Sequence, residues 1–270
     1  HDRTHEHIEE LAQILQETLD RGGNLVIPAF AVGRTQEILY FMRKIKEEKL
    51  IKGHDDFEVY VDSPLAVEAT QVFTKNIMEC YDEEAMDLVN RGINPIGFPG
   101  LKLSITSEDS KNINFDMTPK VIISGADAGR IRHHLKHNLW RPECTILFAG
   151  YQAVGTLGRS LLEGAQVVKL FGETIDVEAH IEKLDGISGH ADMNGLITWV
   201  SAFKEKPSQV FLVHGDDDVC TSFAGLLHTD YGFETAAPFS GSVYDLAAGA
   251  WLKQTVGVPL RPAEGEPDHL

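Results

Sequence analysis

The sequence predicts an α/β fold, a mainly parallel sheet flanked by helices on both faces. Two observations predict it. Short apolar runs alternate with stretches whose apolar residues recur at helical spacing, the strand-then-helix order that builds parallel sheets. Several of the joins between them are tight, glycine-containing turns that lead a strand straight into a helix.

The elements follow in order. Residues 7–21 place Ile8, Leu11, Ile14, Leu15 and Leu19 at helical spacing, ended by Arg21-Gly22-Gly23. NLVIPAF is a strand, Gly33 a turn, and residues 34–49 an amphipathic helix with Ile38, Leu39, Met42 and Ile45 on one stripe. FEVYV (57–61) reads as a strand ending at Asp62, after which Ser63 caps and Pro64 opens a helix over 65–79. KVIISG (120–125) is a buried strand feeding a helix that runs to about Leu139. TILFAGY (145–151) is a strand followed by a helix near 154–163. QVVKLFG (166–172) and IDVEAHI (175–181) are strands, 192–203 a helix, QVFLVHG (209–215) a strand and 217–231 a helix. From about Gln254 the Pro- and Gly-rich tail is expected to fray.

Bulk properties narrow the function classes. At 270 residues the chain is long enough for one large or two modest cores. No run of 18 apolar residues predicts a membrane span, and HDRTHEHIEE contains no apolar signal region. Cys80, Cys144 and Cys220 lie far apart without a CxxC pair, which argues against a disulfide framework or a cysteine zinc site and fits a reducing cytoplasm. The net charge of −17 argues against a duplex-coating protein, since phosphate backbones are gripped by Lys and Arg. Residues 185–270 carry 12 acidic and 4 basic residues, a balance that suits a site where metal ions supply the positive charge.

Functional groups in such folds collect where strands end and helices begin. In DGISGHAD (185–192), His190 sits among small residues that let a phosphate approach, just ahead of a helix; the alternative is a capping turn with an incidental histidine. In VFLVHGDDD (210–218), an apolar strand delivers His214 to its end, where an imidazole is a good divalent-metal ligand; a structural role is the competing reading. SGADAGRIRHHLKH (124–137) holds the densest basic cluster: Arg130, Arg132, His133, His134, Lys136 and His137. His133 and His137 are four apart, but no glutamate follows the first as in HExxH, which favours a polar helix face or phosphate contact. Arg34 in AFAVGRTQE and Arg159 in GYQAVGTLGRS each follow a glycine turn, where a guanidinium can bind a phosphate through two parallel hydrogen bonds or simply face solvent.

Taken in order, IPAFAVGRTQEIL, YVDSPLA, VIISG…GRIRHHL, FAGYQAVGTLGRSLLEGA, VKLFGE, GISGHAD and VFLVHGD resemble the β-CASP branch of the metallo-β-lactamase superfamily, which includes the nuclease subunit of the mRNA 3′-end cleavage complex and RNase J. The resemblance covers roughly residues 1–250. It implies a β-CASP domain over 1–184 and the C-terminal part of a metallo-β-lactamase αββα domain of the RNA-metabolising type over 185–252; composition leaves 253–270 as a flexible tail. The resemblance implies a zinc-dependent ribonuclease with two zinc ions, single-stranded RNA as substrate, a homodimer as one possible assembly, and a cytoplasmic setting. His190 matches the histidine thought to assist leaving-group protonation, and His214 matches the terminal histidine that ligates one zinc. Ser188, Arg34, Arg130 and Arg159 are the expected phosphate contacts.

The chain departs from the complete family pattern. The HxHxDH signature and an acidic strand residue are expected upstream; HEHIEE (5–10) matches HxHxDH only in its first half, and His1-Asp2-Arg3 resembles the tail of the motif after that acidic residue. The expectation is therefore a fragment that binds little zinc and is inactive alone. The main rival is a non-catalytic scaffold subunit, against which the retention of both His190 and His214 argues. A nucleotide-binding module is disfavoured by the lack of GxxxxGK[ST] and of GxGxxG after a strand.

Overall fold

A computed structural model describes residues 4–126, 129–184, 186–187 and 190–258. His1-Asp2-Arg3, the middle of the SGADAG turn, Ser188 and the tail from residue 259 lie outside the described residues. The chain divides into two compact units, the division falling between residues 188 and 189.

The first unit runs α1 (Thr4–Asp20), β1 (Leu25–Ala29), α2 (Arg34–Glu47), β2 (Glu58–Asp62), α3 (Pro64–Lys75), α4 (Ile77–Cys80), α5 (Glu83–Asn90), β3 (Leu101–Leu103), α6 (Ser107–Phe115), β4 (Lys120–Gly125), α7 (Arg130–Asn138), β5 (Thr145–Phe148), α8 (Leu157–Leu162), β6 (Val167–Leu170), β7 (Glu173–Asp176) and β8 (His180–Lys183). Six of these strands form one sheet in the order β3-β2-β4-β1-β5-β8, with every neighbouring pair parallel. Both faces are covered. Leu25, Ile27, Val59, Val61, Val121, Ile123 and Leu147 point into a core shared with α1, α2 and α3. Their alternates Val26, Ile122, Ile146 and Phe148 join Ile131 and Leu135 of α7, Leu161 of α8 and Val168 and Leu170 of β6. This residue-by-residue alternation follows from the pleat, and covering both faces is what makes the central strands β1, β4 and β5 read as largely apolar runs.

Local chemistry sets the element ends. The Ser63 hydroxyl accepts from the Ala66 amide at 3.3 Å and caps α3 as expected, but the helix breaks at Asn76, whose side chain donates to the Val72 carbonyl; 77–80 is a separate turn rather than part of a helix reaching 79. IDVEAHI is not one strand. Its first part pairs with β6 as an antiparallel hairpin, Glu178 and Ala179 then donate to the Leu139 carbonyl, and only from His180 does the chain join the sheet beside β5. At Gly23 an added Cβ would lie 1.9 Å from the Glu143 carbonyl oxygen, so the chain entering β1 passes too close to its neighbour for any side chain.

The second unit contains α9 (Met193–Ser201), β9 (Val210–Phe211), α10 (Asp217–Tyr231), β10 (Thr235–Ala236) and the hairpin β11 (Val243–Asp245) and β12 (Ala250–Lys253). β9 pairs in parallel with β10, and Val200, Leu227 and Phe233 form a small core with Ile197, Val210, Leu212 and Phe223. Phe211, Tyr244 and Trp251 meet edge to face at 5.0–5.8 Å. Among the described residues, no helix is long and apolar enough to cross a membrane.

Candidate functional site

Two imidazoles from different segments of the second unit meet. The His190 and His214 rings lie 6.3 Å apart, centroid to centroid, at 79°, and both side chains are exposed. His190 precedes α9, whose start is fixed by Asp192, the side chain of which accepts from the Gly195 amide at 2.8 Å. The capping role is thus filled by Asp192, which separates it from the histidine.

His214 is held differently. The β9 ladder ends with Leu212 donating to the Ala236 carbonyl, and the chain then turns at His214 with φ +64°. The expected strand over 209–215 is shorter than the apolar run because of this turn. A non-glycine residue in the left-handed region costs about 1 kcal/mol or more, and such outliers persist where the surroundings need that side chain in that place. Asp217 and Asp218 occupy the first turn of α10, a position that complements the positive end of the helix. Two exposed imidazoles in reach of one small ligand can donate a proton, accept one, or furnish nitrogen ligands to a metal. They do not complete a metal site. Among the described residues no group of three or more His, Cys, Asp or Glu is placed to hold an ion, whereas catalytic zinc takes about three protein ligands.

The three arginines singled out from sequence belong to the first unit and follow three neighbouring strands: Arg34 follows β1, Arg130 follows β4, and Arg159 comes after β5. They therefore share the carboxyl edge of the sheet, where ligands of open α/β folds bind. Each also has an acidic partner in its own unit. Arg34 pairs with Glu37 one turn on, and Arg159 Nε donates to Glu163 at 2.6 Å. Arg130 donates to Asp62 Oδ1 at 2.7 Å and to the Ser104 and Ile105 carbonyls. Much of its donor capacity is thus spent inside the fold.

Sequence reasoning missed the group that Arg130 joins. Asp62 ends β2 with its side chain fully buried, and His134 Nε2 donates to its Oδ2 at 2.6 Å from an equally buried ring. Ser110 donates to the same oxygen at 2.5 Å, and His134 Nδ1 lies 2.8 Å from Asn114 Oδ1. Burial by itself would push the Asp62 carboxyl up, but hydrogen bonds led by His134 and including Ser110, with the charge of His134, outweigh it and hold the carboxyl at about 2. The available signal was an aspartate closing an apolar strand, VYVD, where a charge without partners would be costly.

Fold and site together describe an α/β protein with a two-histidine centre outside its main sheet. Residues 35–161 match the Beta-Casp domain, and 174–238 match the Zn-dependent metallo-hydrolase RNA specificity domain. The chain is 34% identical over 235 residues to Ribonuclease TTHA0252 of Thermus thermophilus, covering 84% of this chain and 52% of that protein. It is 30% identical over 236 residues to Transcription termination factor FttA of Thermococcus kodakarensis, covering 84% and 36%. It is 31% identical over 238 residues to an RNase J-like protein of Methanocaldococcus jannaschii, covering 87% and 53%. The chain thus spans about half of two of these relatives and little over a third of the other. It belongs to the β-CASP family of the metallo-β-lactamase superfamily.

Proposed function

We propose that this chain is part of a zinc-dependent ribonuclease that hydrolyses phosphodiester bonds in single-stranded RNA. The observation that carries the reading is the convergence of His190 and His214 within 6.3 Å. The matched RNA specificity domain and the ribonuclease named among the relatives support it. In this reading residues 1–184 form the β-CASP domain and 185–252 the closing part of the catalytic domain.

His190 acts as the general acid. Its exposed ring gives up a proton to the 3′ oxygen as the phosphorus–oxygen bond breaks, so that oxygen does not leave as an alkoxide; assistance of this kind is worth about 10²–10⁴-fold. His214, fixed by its turn, offers one nitrogen to zinc, whose chemistry in such enzymes is to lower the pKa of bound water. The described residues fall short of a complete zinc site, so the 270-residue chain by itself is expected to hold zinc weakly and to be inactive. Arg34, Arg130, Arg159 and Ser188 are the proposed phosphate contacts, Arg130 with whatever donor capacity Asp62 and the two carbonyls leave.

The test is cleavage of labelled single-stranded RNA by the full-length protein, with and without chelator, beside its His190→Ala variant. Chelator-sensitive cleavage that falls by two to four orders of magnitude in the variant is expected. Full-speed cleavage by His190→Ala would remove the acid assignment, and no cleavage by the wild type under any metal would favour a scaffold subunit.

A further inference from the structure

The outer face of α7 carries no acidic residue, although the chain as a whole has a net charge of −17. Arg132 and Lys136 project from it, and Lys111 of neighbouring α6 acts on the same surface: burial first, then the charges of His134, Lys136, Arg132 and Lys111, holds His133 below the usual histidine range. A ring so held is uncharged near neutral pH and free to stack.

Two exposed phenyl rings are set against this face. The Phe171 ring stacks on His133 at 4.5 Å and 23°, with the Arg132 guanidinium carbon 5.1 Å from its centroid, and Phe171 is 46% exposed. Phe115, at the end of α6 and 72% exposed, meets His137 edge-on at 6.2 Å. His133 and His137 are one helical turn apart, so the two ring pairs stand side by side along the helix, about 6 Å apart in rise.

Phe171 occupies a backbone position that works against it. It is the first residue of the two-residue turn joining β6 and β7, with φ +53°, followed by Gly172 at φ +76°. Turns with both central residues at positive φ favour Asn-Gly, and a bulky residue there is an outlier that asks for a reason in its side chain. One reason would be to pin the hairpin to α7, a task already shared by the buried Val168 and Leu170 and by the Lys136–Glu173 ion pair at 2.6 Å. Neither of those explains why an aromatic ring is held out half in water among cations.

We propose that this face of α7 is a stacking platform for the bases of single-stranded RNA, with Phe171 and Phe115 receiving bases and Lys111, Arg132 and Lys136 drawing in the phosphates between them. Aromatic rings interleaved with cations are how single strands are gripped without reading their sequence. The proposal rests on the ribonuclease reading above and adds to it a subsite for substrate on the first unit.

The test is fluorescence anisotropy of a 5′-labelled twelve-residue oligouridylate with the full 270-residue chain, alongside thermal unfolding. Phe171→Asn suits the turn, so its melting temperature should hold or rise while RNA affinity falls roughly tenfold, the size expected for losing one base stack. Phe171→Trp keeps a stacking surface and should bind at least as tightly as the wild type. Phe115→Ser should also weaken binding. If Phe171→Asn binds like the wild type, or Phe171→Trp loses as much as Phe171→Asn, the platform is wrong while the ribonuclease reading stands. A wild type that binds no oligouridylate would overturn the platform, whereas the ribonuclease reading falls only if the full-length protein cleaves no RNA.

Discussion

The molecule contains two histidine pairings that differ in almost every respect. His134 is fully buried, both ring nitrogens face oxygen atoms, and its carboxylate partner is bonded again by Ser110 and Arg130. His190 and His214 are exposed, they face each other, and His214 sits on strained backbone. A buried polar group with every bond made holds neighbouring elements in place: Asp62, His134 and Ser110 tie β2 to α7 and α6. An exposed imidazole in a costly conformation contributes little to the fold. The difference separates a histidine that holds the structure together from the two to which the proposed function gives chemical roles.

Four measurements sharpen or break that contrast. The largest effect is expected for His190→Ala in the full-length protein, where cleavage should drop by about 10²–10⁴-fold with the melting temperature unmoved; a variant that melts early would move His190 into the structural group. Next, Asp62→Ala strands the buried His134 and part of Arg130, and removing one member of a buried pair costs about 3–5 kcal/mol. Urea unfolding of the 270-residue chain reads this, and a loss below about 1 kcal/mol would show the network to be incidental.

The third effect is a response to acid. Asp62 has an ordinary value of 3.8 and lies at about 2 in the folded chain, so its ionised form favours folding above pH of about 4. That contribution, on the order of 2 kcal/mol, should fade as the pH falls from about 4 to about 2. Asp116 is also held at about 2, chiefly by its hydrogen bond from Lys120, but its side chain is half exposed and the pair is screened by water. Asp116→Asn should therefore keep most of the acid-induced loss; a variant that no longer loses stability would transfer the effect from Asp62 to the surface pair. The smallest effect is expected for His214→Gly. Relief of strain at φ +64° and the added freedom of the unfolded chain are of similar size, so stability should shift by less than about 1 kcal/mol. A large loss would mean that the His214 ring supports the unit after all.

Much of the sheet was legible because strands covered on both faces leave unbroken apolar runs, as KVIISG and TILFAGY do. Helix α6 escaped notice since SEDSKNINF buries only Ser110 and Ile113, and its one clear mark was the capping pair Thr106 and Asp109. Strands β10, β11 and β12 were too short for periodicity to register. At the site, both histidines could be picked out because each stands at the end of a segment in a turn of small or acidic residues. The Asp62–His134 pair could not, because a hydrogen bond between residues 72 positions apart leaves no local pattern. Arg130 was read as facing a phosphate for the same reason: its cluster looked like surface, while its carboxylate partner lies on another strand.

The strand order of the large sheet has a consequence for how the chain reaches its structure. β1 is formed early in the sequence, yet Leu25 finds its hydrogen-bonded neighbours only at Val121 and Thr145. An emerging chain must therefore keep LVIPA waiting through about a third of the 270 residues before the first flank arrives, and contacts so distant in sequence slow folding. An unpaired apolar strand is also a site for wrong partners during that interval. Truncation before β4 would leave that waiting segment without either flank, and aggregation rather than a smaller folded domain is the outcome to expect.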